Sequence, residues 1–82
     1  MRSEKYFYDY MIEKNEKNKK HKGYSEYGSR VMDILDLFET LQTSEERMSF
    51  QHAIEKLLLS GNKELVEFGI AICTGFVVFK SR

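Results

Sequence analysis

Metal ligation and nucleophilic catalysis need particular side chains at particular spacings, and the scarcer of those types here are His21, His52 and the single cysteine, Cys73. No pair of Cys or His stands at zinc-ligand spacing, so no metal site is expected. His52 and Glu55 can share a helix face, but helical di-iron centres place Glu before His and repeat the carboxylates on facing helices. Cys73 lies among Ile70, Ala71, Ile72 and Phe76, a setting that predicts a small buried core residue with an inert thiol. Gly61 is not followed by the Gly-Lys-Ser/Thr of a phosphate-binding loop. Glu45 and Glu46 resemble a pair of acid–base carboxylates, yet helix capping and dipole complementarity account for both. The residues therefore predict a protein that is not an enzyme and holds no cofactor.

Binding chemistry is better represented. The segment EKNEKNKKHK, residues 13–22, carries five lysines, and Tyr6, Tyr8, Tyr10, Tyr24 and Tyr27 surround it. Lysines that track phosphates and rings that stack on bases make a single-strand-binding surface, which is one reading of this tract. Glu13 and Glu16 interrupt it, and the whole chain has thirteen basic and thirteen acidic residues, so nucleic acid is the weaker choice of partner. Residues 26–46 hold six acids against Arg30 alone, a local charge of about −5. An acidic helix face with tyrosines beside it can enter a basic groove on another protein, charge steering the encounter and rings adding buried area. Tyr24, Tyr27, Asp33, Asp36 and Glu39 are the candidate partner-binding residues.

These side chains must be positioned by helices. Ser3 suits the N-cap of a first helix over about residues 3–18, with Tyr6, Phe7, Tyr10 and Met11 on one side; the competing reading makes residues 5–12 an aromatic strand. Gly23 and Gly28 mark a boundary. Ser29 then caps a helix over 29–41 whose stripe is Val31, Ile34, Leu35, Phe38 and Leu41, with Asp33, Asp36 and Thr40 opposite and Glu39 at the edge. Thr43-Ser44-Glu45-Glu46 is a capping box, in which Glu46 would reach back to the cap amide, and opens a helix over 44–59. Gly61 closes that helix and Asn62 caps a fourth over 63–76. Residues 75–80 are rich in β-branched and aromatic types, which leaves two readings for them, helix or a short extended segment. The fold class is all-α, a bundle of about four helices, its core centred on helices two to four: Val31, Ile34, Leu35, Phe38, Phe50, Ile54, Leu57, Leu65, Phe68 and Ile72.

Eighty-two residues make a single domain with a modest core, divided in character into a basic segment 1–22, net about +3, and an acidic helical body 23–82, net about −3. A lone cysteine fits a reducing compartment, the charged and aromatic start lacks the apolar run of a signal peptide, and the uncharged stretch Phe68–Phe79 is only twelve residues. A cytoplasmic protein with no membrane partner is expected. In the fourth helix Gly69 and Cys73, like Ala71 and Gly75, are four apart, a small-residue face that a second backbone can approach. With Phe76 and its apolar neighbours it makes self-association through Gly69, Cys73 and Phe76 an alternative to burial within the monomer.

The stretch Val31–Phe76 combines the acidic helix, the turn Leu58-Leu59-Ser60-Gly61-Asn62 and the small-residue helix Gly69-Ile70-Ala71-Ile72-Cys73-Thr74-Gly75. In this it resembles the small helical immunity proteins of bacterial toxin–immunity loci. That resemblance implies a non-enzymatic inhibitor that binds one toxin or enzyme through acidic residues, and it reaches Asp33, Asp36 and Glu39. The basic, tyrosine-rich N-terminal segment has no counterpart in it. A phage-type antagonist of a host enzyme or defence system would use the same physical devices.

Overall fold

The computed structural model describes the backbone of residues 2–20 and 24–80 and the side chains of residues 2–16 and 30–78. Four helices follow one another, α1 Glu4–Lys20, α2 Tyr24–Glu39, α3 Ser44–Leu58 and α4 Lys63–Lys80, and no strand occurs among the described residues. They pack into a slab of 35 × 30 × 17 Å, about two helix layers thick.

The caps explain where three helices begin. Ser3 Oγ accepts from the Tyr6 amide at 3.4 Å, Thr43 Oγ1 from the Glu46 amide at 3.2 Å, and Asn62 Oδ1 from the amides of Glu64 at 3.0 Å and Leu65 at 3.4 Å. Each satisfies donors that the first helical turn leaves open. The Glu46 carboxylate does not complete a capping box; it is taken up by Arg2 across the α1–α3 interface. After α3, Gly61 adopts φ +76°, the left-handed conformation that lets the chain turn straight into α4.

Two element boundaries differ from the sequence reading by more than two residues. Helix α2 starts at Tyr24, so Gly28 and Ser29 lie inside it rather than before it. Gly28 costs a helix less than about 1 kcal/mol, which the burial of one apolar stripe along α2 outweighs. Of the two readings for residues 75–80 the helical one holds, because α4 runs past residue 76 to Lys80. Its β-branched residues keep the helical path since Gly75 abuts Val31 and Leu35 of α2, while Phe76 packs on Phe38. Strand propensity gives way to packing.

The core holds Val31, Ile34, Leu35, Leu41, Phe50, Ala53, Ile54, Leu57, Phe68 and Ile72, with Phe38 and Leu65 only half-buried. It is not confined to helices two to four, because Phe7 and Met11 of α1 are wholly enclosed. Phe7, Met11 and Asn15 recur every four residues and form the buried stripe of α1; Asn15 extends it into the polar tract, and its Nδ2 has no hydrogen-bond partner among the described residues. Phe50 is the point where the helices meet. Its ring lies 5.5 Å from Phe7 of α1, 5.1 Å from Phe38 of α2 and 6.2 Å from Phe76 of α4.

Candidate functional site

The aromatic cluster opens to the surface between α2, α3 and α4. Phe38 and Phe76, half-buried and edge to face at 5.0 Å, separate two adjoining hollows and form part of the floor of each. The larger, about 340 Å³, is a groove between α3 and α4: Gln51, Ile54, Glu55 and Leu58 make one wall, Cys73 and Phe76 the other, and Phe50 underlies it. The smaller, about 250 Å³, lies at the corner of α2, α3 and α4 and is bounded by Glu39 and Arg47. Arg47 is held there because its Nη2 donates to the Leu41 carbonyl at 3.1 Å, just past the end of α2. The cleft as a whole has an aromatic floor, an acid and a base at one end, and Gln51 and Glu55 along a rim.

The candidate acids of α2 go three ways. Asp33 faces α1, where its carboxylate accepts from Lys14 Nζ at 3.1 Å and stands 3.8 Å from Arg30 Nη1. It is a tie between helices. Asp36 is exposed, and Glu39, one turn on, is exposed and borders the smaller hollow. Tyr24 and Tyr27 belong to α2, but their side chains lie outside the described residues, as do His21 and the side chains of Lys17 to Lys22. Of the basic tract, Lys14 is engaged by Asp33 and lies 5.3 Å from the Tyr10 ring centre. His52 and Lys56 both face Glu4 of α1, at 3.9 and 3.7 Å.

The residues of the small-residue face also separate. Gly69 is buried against α3, so tightly that a Cβ there would meet Leu58 Cδ2 at 2.9 Å. Gly75 does the same against α2. Small residues on α4 thus serve packing inside the bundle. Cys73 is exposed, contrary to the buried core residue expected, because it sits on the flank of α4 beside the groove rather than on the stripe of Phe68 and Ile72. Partial burial of its thiol pushes the pKa up, away from the reactive thiolate.

Sequence reading did not find the cleft. Phe38, Phe50 and Phe76 each appear as one aromatic position in a helical stripe, and the hollow between them arises only from how three helices are set. The partial signal was α4 itself, apolar on every side from Phe68 to Phe79. Among the described residues no group of three or more His, Cys, Asp and Glu is placed to hold a metal ion, and no helix is long and apolar enough to cross a membrane. Comparison with known protein families, with curated proteins and with solved structures finds no match.

Proposed function

We propose that this chain is a non-enzymatic protein-binding module that neutralises or regulates a partner protein, in the manner of an immunity or inhibitor protein. The observation that carries the reading is the half-buried Phe38–Phe76 pair in an open cleft, with Glu39 and Arg47 at its end; Asp36, exposed one turn before Glu39 on α2, lies outside its lining. Binding hot spots are desolvated apolar pockets with charged groups at the rim that set register. A basic or aromatic side chain of the partner suits the smaller hollow, where rings offer a face to a cation and Glu39 offers a carboxylate. The groove toward Leu58 and Cys73 then receives the apolar residues that follow it. Partial burial raises the pKa of the Cys73 thiol and so disfavours the thiolate a nucleophile needs, which supports binding over catalysis.

The test is capture from the native host on immobilised full-length chain, comparing the wild type with Asp36→Lys/Glu39→Lys and with the α1 control Lys5→Glu. One stoichiometric protein, retained by wild type and control and lost by the double reversal, is expected. Equal capture by all three would move the interface off this cleft. Steeply salt-dependent binding to oligonucleotides with no protein captured would replace the reading with the nucleic-acid one.

A further inference from the structure

We infer that the outer face of α4 is a self-association surface, on which a second copy of this chain docks with its own α4 antiparallel, across a two-fold axis between Cys73 and Thr74. This goes beyond the cleft reading and uses the outer side of the helix, which meets the groove at Cys73.

Helix α4 has two apolar stripes. Phe68, Gly69, Ile72 and Gly75 are buried in the bundle. Ile70, Val77 and Val78 remain 52, 68 and 49 % exposed, and Cys73 and Thr74 between them are exposed too. The five recur at i, i+3, i+4, i+7 and i+8, the spacing of a packing face, over an arc of roughly 140°. A helix apolar all round is normally covered all round. In the monomer the slab leaves this side open.

Charge distribution favours a copy of the same chain as the occupant. The twelve residues Phe68–Phe79 are uncharged, with Glu67 at one end and Lys80 at the other. Antiparallel pairing brings each acid to the level of the other copy's base, whereas parallel pairing sets like charges side by side. The midpoint of Glu67 and Lys80 falls between Cys73 and Thr74, and in that register Ile70 meets Val77. The two side chains nearest the axis are small, which lets the helices approach, and an isologous contact of this kind closes on itself. A membrane surface suits the stripe less well. Interfacial helices are enriched in Lys and Arg along their polar flanks, whereas α4 carries only Lys63 and Lys80, balanced by Glu64 and Glu67. Size decides the strength: an 18-residue helix is about 27 Å long, and one helix pair buries less than the roughly 800 Å² per partner of a stable complex. The dimer is therefore reversible and concentration-dependent.

Sedimentation of the full chain over a concentration series should show a monomer–dimer equilibrium, and a short bis-maleimide should cross-link Cys73 to Cys73 of the second copy. Val77→Asp, at an exposed position that leaves the fold intact by circular dichroism, should be monomeric throughout and give no cross-linked product. Cys73→Ser/Thr74→Cys should cross-link, and Cys73→Ser/Asp9→Cys should not. Glu67→Lys should weaken association about tenfold, and Glu67→Lys/Lys80→Glu should restore it, a rescue only the antiparallel arrangement gives. Asp36→Lys/Glu39→Lys should dimerise normally, so failure of the cleft reading is told apart from failure of this one. A monomer at the highest concentration, a dimer that survives Val77→Asp, or binding to vesicles of neutral and anionic phospholipid in place of dimerisation would each overturn the inference.

Discussion

Arg2 grips Glu46 twice, its backbone N–H and its Nε each donating to Oε2 at 3.1 Å, and so fastens the start of α1 to the first turn of α3. The backbone hydrogen bond from Arg2, then the guanidinium bond, hold the Glu46 carboxyl below the ordinary glutamate range. A depressed carboxyl stabilises the fold above its unfolded pKa, and that contribution is lost as pH falls through the folded value. Thermal unfolding of Glu46→Gln should therefore show a lower Tm than wild type at pH 7, with the gap closing toward pH 3. A gap that stays constant across that range would mean the carboxylate charge is not what the contact uses.

Phe50 joins an aromatic ring from each of the other three helices, and Phe7 is its partner on α1. Truncating a buried Phe costs about 3–5 kcal/mol through lost transfer energy and the cavity left behind. Phe50→Ala and Phe7→Ala should each cause losses of this size in urea unfolding. If Phe7→Ala cost less than about 1 kcal/mol, α1 would not belong to the core.

The role of Phe7 also shows where sequence reading stops. Periodicity marked all four helices, and eight of the ten expected core residues are buried, because a stripe at helical spacing must face something. The spacing centres the core on helices two to four, yet three positions four apart on α1, Phe7, Met11 and Asn15, are enough to seat it as well. For Cys73 composition misleads: apart from Thr74 its surroundings in sequence are apolar or small, and only the setting of α4 between α2 and α3 decides which flank stays in solvent. The acids of α2 were legible as a stripe, but the diversion of Asp33 to Lys14 depends on where α1 lies.

The two buried glycines of α4 should respond differently to alanine. Replacing a helical Gly by Ala gains roughly 0.5–1 kcal/mol when there is room. At Gly75 the new Cβ would meet Leu35 Cδ1 at 3.0 Å and Val31 Cγ1 at 3.1 Å, both on side chains buried in the core. At Gly69 the closest atom is Leu58 Cδ2 at 2.9 Å, the far end of a half-buried side chain beside the open groove, which can turn away and leave Leu57 Cβ, at 3.3 Å, as the fixed neighbour. Gly75→Ala should lower the Tm, and Gly69→Ala should leave it within about 1 kcal/mol of the wild type in stability. The reverse order would mean that Leu58, not Leu35 or Val31, is the fixed neighbour.

Cys73 combines exposure with a pKa raised by partial burial, and the two pull its reactivity in opposite directions. Access to reagent is open, but the nucleophile is the thiolate, and burial against the apolar groove disfavours the charged form. Alkylation by a small maleimide at pH 7 should therefore proceed more slowly in the native protein than in urea, even though the side chain faces solvent. Raising the pH through the ordinary thiol range and beyond should narrow the difference, because the native thiol ionises later than the unfolded one. The linked effect on stability has the matching sign: a raised thiol pKa leaves the fold unaffected below the unfolded value and weakens it as pH climbs through the native one. Cys73→Ser should remove that alkaline loss. To keep association from shielding the thiol, the rates are compared in the monomeric Val77→Asp background. A native rate equal to the unfolded rate at pH 7 would show that the groove does not desolvate the sulfur.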